Sequence, residues 1–137
     1  MHQVADMDKG LTGLIGLELD EVSADRVTAH LPVRPELHQP FGILHGGVHC
    51  AVVETLASVA AALWLGDEGH VVGVSNQTDF LRAVSEGKLR AEALPVFRGR
   101  TQQLWSVQIW DDDDRLVAKG QVRLQNVRST SELGRPA

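Results

Sequence analysis

Leu37-His38-Gln39-Pro40-Phe41-Gly42-Ile43-Leu44-His45-Gly46-Gly47 runs straight into an apolar stretch, 48–65, whose one acidic residue is Glu54 and which has no Lys or Arg. The first part reads as loop. Pro40 lacks a backbone donor, and Gly42, Gly46 and Gly47 allow backbone angles that other residues avoid. The second part reads as one helix of about 18 residues, roughly 27 Å long. A helix this apolar on every side is a buried one, so the carboxylate inside it calls for an explanation.

That helix has two unlike sides. At 100° per residue, Val48, Val52, Leu56, Val59 and Leu63 form a bulky stripe suited to a sheet. Gly47, Cys50, Ala51, Glu54, Ser58 and Ala61 form the other side, and all but Glu54 are small. Such a stripe leaves room beside the carboxylate for a ligand or for another backbone. Ser58 is four residues past Glu54, so its hydroxyl is within reach of it. At the Gly46-Gly47 end, free N–H groups and the positive end of the helix dipole make a site for a developing oxyanion.

The chain has 137 residues, which fits one domain with a real core. Cys50 is the only cysteine, so no internal disulfide forms and a reduced, cytoplasmic setting is expected. The first six residues lack the basic and apolar regions of a signal peptide. The helix nearly has membrane-spanning length, but His49, Glu54, Thr55 and Ser58 interrupt it, so a buried soluble helix is expected. The net charge of -5 argues against general nucleic-acid or membrane binding. An anionic small ligand would need local Arg and Lys.

Outward from the helix, residues 1–15 read as an amphipathic lead-in anchored by Leu11, Leu14 and Ile15. Alternation of apolar and polar residues predicts strands over 17–22, 26–33, 71–81, 88–97, 102–110 and 116–124. Residues 126–137 read as a frayed tail. Gly66 closes the helix. Asp111 to Asp114 lacks the alternate ligand spacing and terminal Glu of a calcium loop, and reads as a hairpin turn. Two strands, one long helix and four strands on short turns give an α+β fold: one helix against a strongly curved antiparallel sheet.

The string from Gln39 to Gly47, followed by Glu54 and Ser58, resembles the hotdog-fold acyl-CoA thioesterases. The branch is that of PaaI-type, 4-hydroxybenzoyl-CoA and 1,4-dihydroxy-2-naphthoyl-CoA thioesterases. The likeness continues through Val71-Val72-Gly73, Leu81-Arg82, Glu86-Gly87, Arg98-Gly99-Arg100 and Trp105, so it covers residues 17–125. The resemblance implies a helix wrapped by the sheet, homodimers with a continuous sheet, and often homotetramers of two such dimers. It implies active sites at the dimer interface and coenzyme A as the carrier of the acyl group, part of the substrate rather than a separate cofactor. Residue by residue, it implies Glu54 as the catalytic carboxylate and the Gly46 N–H as the donor that polarises the thioester carbonyl. Gln39 would contact the thioester or leaving thiolate, His45 would position the loop and substrate, and Ser58 would orient Glu54 or the attacking water. Phe80 stands where some relatives carry a His.

A thiolate leaves easily, so one carboxylate and one well-aimed N–H suffice for hydrolysis. Glu54 could attack directly to give an anhydride, or act as general base on water. Arg82, Arg98, Gly99 and Arg100 are candidates to hold the coenzyme A phosphates. His45 and His49 are four apart, but Gly46-Gly47 lie between them, where a zinc-protease motif places Glu next to the first His. No metal is expected, and His49 reads as structural or interfacial. Cys50 reads as a small buried hydrophobe. Two rivals stand beside the hydrolase: a hotdog enoyl-CoA hydratase or dehydratase, and a non-catalytic acyl-CoA-binding module. The first places a catalytic His beside an acid or in a His-Phe-Pro-Gly setting, which His38-Gln39-Pro40-Phe41-Gly42 lacks; the second predicts binding without turnover.

Overall fold

The computed structural model describes residues 9–128. The described residues open on a short helix α1 (Gly10–Ile15), then strands β1 (Glu18–Val22) and β2 (Val27–Pro32). The loop with the Gly-rich string leads into the long helix α2 (Gly46–Leu65). Four strands complete the fold: β3 (His70–Phe80), β4 (Lys88–Arg98), β5 (Gln102–Trp110) and β6 (Leu116–Val127). All six strands form one antiparallel sheet in the order β1-β2-β4-β5-β6-β3. This is the hotdog arrangement of one long helix wrapped by a curved antiparallel sheet.

Alternation explains the packing. On β5, Gln103, Trp105, Val107 and Ile109 point inward and are buried, while the residues between them face outward and are half-covered. They meet the bulky stripe of α2, of which Val48, Val52, Leu56 and Val59 are buried and Leu63 partly so. Burying such side chains is worth about 1.5–3 kcal/mol each, and this layer is the main source of stability. The helix long and apolar enough to cross a membrane is this core helix.

Three expectations need correction. Leu11 and Leu14 are 61% and 73% exposed, and of the three proposed anchors only Ile15 is buried. A helix of six residues has fewer than two turns, and only one side of it meets the core. The last strand reaches Val127, beyond the expected end at residue 124. Asn126 holds it there by donating from its side chain to the Gly99 and Arg100 carbonyls at 2.9 and 3.1 Å. Most of the expected lead-in and tail, 1–8 and 129–137, lies outside the described residues. Third, Glu54 is exposed rather than sunk in apolar surroundings. The small stripe is covered by little of its own chain, though Ala61 at its end is buried.

One edge of the sheet, β1, is short. The other, β3, is eleven residues long, and its outward Val72 and Val74 are 39% and 54% exposed. A bulge between Gly73 and Ser75 shifts its register against β6. Before the bulge, Val71 and Gly73 lie on the helix side; after it, Asn76, Thr78 and Phe80 do, opposite buried Val122, Gly120 and Ala118.

Candidate active site

The start of α2 is built by its own loop. His45 is the N-cap, and its Nδ1 accepts the Gly47 N–H at 2.7 Å. That acceptor requires the ring proton on Nε2. The His45 carbonyl takes the Val48 N–H at 2.9 Å. Of the first three helix amides, only that of Gly46 is therefore left without an acceptor among the described residues. A side chain at Gly46 is impossible without movement, because a Cβ there would sit 2.5 Å from the Phe80 ring.

Gln39 is fixed beside this amide. Its Oε1 accepts the Phe41 N–H, its own N–H donates to the Ile43 carbonyl at 2.8 Å, and Gly42 turns the chain at a φ of +83°. The Gln39 side-chain amide nitrogen has no acceptor among the described residues, and so stays available as a donor. Gln39, Gly46, His49, Phe80 and Arg82 line a cavity of about 310 Å³. His49, which the sequence presents as structural or interfacial, belongs to this lining. It is 3% exposed, stacked 5.9 Å from Phe80, and its Nδ1 has no partner among the described residues. Burial pushes its imidazole down to about 4, so the ring is neutral at physiological pH.

Glu54 and Ser58 line a different cavity, of about 250 Å³, with Thr12, Thr55, Val59 and Val71. No Lys, Arg or His among the described residues pairs with the Glu54 carboxylate. Ser58 makes no hydrogen bond to it either, although both face the same space. The group that does is Asn76 of β3, which donates from Nδ2 to Glu54 Oε1 at 3.4 Å and to the Cys50 carbonyl at 3.1 Å. Alternation along β3 does not reveal Asn76, because the bulge reverses which residues face the helix.

Glu54 and Gly46 are eight residues apart on one helix, about 12 Å along its axis and close to a quarter turn around it. One chain therefore presents the carboxylate and the glycine amide at separate places. The arginines separate too. Arg82 lines the Gly46 cavity. Arg98 is committed elsewhere: it donates to the Ala24 carbonyl at 2.9 Å and to Asp25 at 2.7 Å, and lies 5.9 Å from the Trp64 and Trp105 rings. Gly99 and exposed Arg100 form the β4–β5 turn, held from below by Asn126. The pairings Phe80↔Ala118 and His70↔Val127 put Arg82 and Arg100 at opposite ends of the sheet. They do not form one cluster within a chain.

Residues 41–118 match the family model of the thioesterase superfamily. A protein of Mycobacterium tuberculosis named as a candidate esterase is 52% identical over 118 residues, 84% of each chain. The proofreading thioesterase EntH of Cronobacter turicensis is 40% identical over 101 residues, 74% of each chain. Among solved structures, AziG of S. sahachiroi superposes with a TM-score of 0.86 at 54% identity, covering 88% of this chain and 98% of that one. A thioesterase of Haemophilus influenzae superposes with a TM-score of 0.84 at 33% identity, covering 89% of this chain and 85% of that one.

Proposed function

Since the chain belongs to the thioesterase superfamily and is a thioester hydrolase, we propose that it hydrolyses acyl- or aroyl-coenzyme A to the free acid and coenzyme A, at sites shared by two copies. In this reading the Gly46 N–H and the Gln39 amide hold the thioester carbonyl and sulfur. Glu54 of the other copy supplies the attacking oxygen, either its own or that of a water it deprotonates. The Gly46 amide is fixed before the reaction starts, so it stabilises the oxyanion without reorganisation. The thiolate departs without strong acid assistance. Coenzyme A is part of the substrate, and no further cofactor enters the scheme.

The observation that carries this reading is the separation of Glu54 from Gly46. A reacting carbonyl must lie about 3 Å from both the attacking oxygen and the oxyanion donor, and 12 Å along a rigid helix forbids that within one chain. The long edge of β3 supports a second copy, because among the described residues it pairs on one side only, and such a strand with exposed valines is a template for pairing. If β3 pairs antiparallel with its twin about Ser75, residue 80 of one copy lies opposite residue 70 of the other. The Gly46–Phe80 end of one copy then abuts the Val71 end of the other, where the Glu54 cavity opens. The small residues Gly47, Cys50 and Ala51 let the two long helices approach.

The experiment is thiol release from a panel of aryl, short-chain and long-chain coenzyme A thioesters by the full chain and by Glu54→Ala. Loss of a principal catalytic group lowers turnover at least ~100-fold. Unchanged turnover in Glu54→Ala removes the carboxylate from the reaction.

A further inference from the structure

We infer that Asn76 is a positioning residue for Glu54: its side-chain amide, locked by the Thr78 hydroxyl, holds the carboxylate in the orientation that hydrolysis uses. The inference rests on Glu54 acting as nucleophile or base, as proposed above.

Asn76 faces the helix from a strand position where an apolar residue is the norm. Its Nδ2 spans one helical turn, donating to the Cys50 carbonyl at 3.1 Å and to Glu54 Oε1 at 3.4 Å. Its Oδ1 accepts the Thr78 hydroxyl at 2.7 Å. These partners fix which way round the amide sits. A carbonyl and a carboxylate are both acceptors, so only the NH₂ end can meet them, and the oxygen must then face the hydroxyl.

The surroundings are shaped for this pair. A Cβ at Gly120 would lie 2.6 Å from Thr78 Oγ1 and 2.8 Å from Val53 Cγ1, so glycine there makes the room Thr78 occupies. A Cβ at Gly73 would lie 3.6 Å from Glu54 Oε2. Glycine thus keeps the second carboxylate oxygen uncovered while Asn76 holds the first. The bulge between Gly73 and Ser75 brings both residues to the helix side of β3. An exposed glutamate otherwise samples many rotamers, and each wrong one removes the oxygen from line with the carbonyl. The 3.4 Å bond is long, as hydrogen bonds around a reacting group are before substrate closes the site.

The test is steady-state kinetics of Asn76→Ala, alone and in Glu54→Ala, together with Thr78→Val and Thr78→Ser. Asn76→Ala lowers kcat about tenfold, the scale of one hydrogen bond to a charged group, and leaves KM within about twofold. In Glu54→Ala the same change does nothing further, because Asn76 acts through that carboxylate. Thr78→Val keeps the shape, loses the hydroxyl and lowers kcat several-fold, and Thr78→Ser restores it. A kcat within about twofold of the parent in Asn76→Ala overturns the inference, as does an equal loss with and without Glu54. If Asn76→Ala does not fold, the Thr78 pair decides: equal rates for Val and Ser overturn the inference. Full turnover in Glu54→Ala alone instead overturns the functional reading beneath it.

Discussion

His45 Nδ1 accepts the Gly47 N–H at 2.7 Å, which leaves Gly46 as the helix-start amide able to meet a ligand. The imidazole thus selects one donor from what the sequence alone presents as two.

Removing that cap has a measurable cost. His45→Ala lowers stability by about 1 kcal/mol, the usual value of an N-cap, and His45→Asn recovers most of it because Asn caps well. Urea denaturation of the two variants checks this. Equal losses in both would assign the stabilisation to something other than the Gly47 hydrogen bond.

Gly46 and Phe80 are matched in shape. Gly46→Ala puts a methyl 2.5 Å from the ring, and turning that 55% exposed ring aside costs about 0.5–1.5 kcal/mol. Adding Phe80→Ala to Gly46→Ala removes the overlap, so the double variant loses less than the two single changes summed. Thermal unfolding of all three reads the non-additivity; simple addition would contradict the contact.

The arginines divide by function. Arg98→Ala destabilises the fold, because it breaks the Asp25 and Ala24 bonds and uncovers Trp64 and Trp105. Arg82→Ala and Arg100→Ala leave stability within about 0.5 kcal/mol, as exposed substitutions do. These two raise KM for coenzyme A thioesters more than for short pantetheine thioesters. Equal KM effects on both substrates would discard them as phosphate ligands.

His49 makes stability fall in acid. Its folded value of about 4 lies below the unfolded 6.5, so between those limits the unfolded chain binds the extra proton. Stability attributable to His49 is complete above pH 6.5, and falls by about 3 kcal/mol as pH drops to 4. His30 acts with the opposite sign, since its hydrogen bond with Asp20 raises its value. Comparing the parent with His49→Gln cancels His30. Parallel stability curves for the two proteins would contradict a buried neutral imidazole.

Much of this was legible in the residues. The alternation of β2, β4 and β5 and the apolar stripe of α2 placed the elements within a few positions, because each buries one face only. The Gln39–Gly47 string located the amide and the loop. What alternation cannot show is a parity change: the β3 bulge turned Asn76 and Thr78 toward Glu54, and no residue type announces it. Arg98 looked like a ligand-binding side chain because its partners Ala24 and Asp25 are more than seventy residues away in the chain. Glu54 looked buried because the helix around it is apolar, whereas its own chain leaves that side open.

The most direct measurement co-expresses Glu54→Ala with Gly46→Pro, which has no N–H and turns aside the exposed Phe80 ring that a Cβ at residue 46 meets. Each variant alone turns over at under about a hundredth of the parent rate. In mixed dimers one site of two combines an intact Glu54 with an intact Gly46, so random pairing restores about a quarter of parental turnover. A mixture no more active than its two components would contradict a site shared between copies.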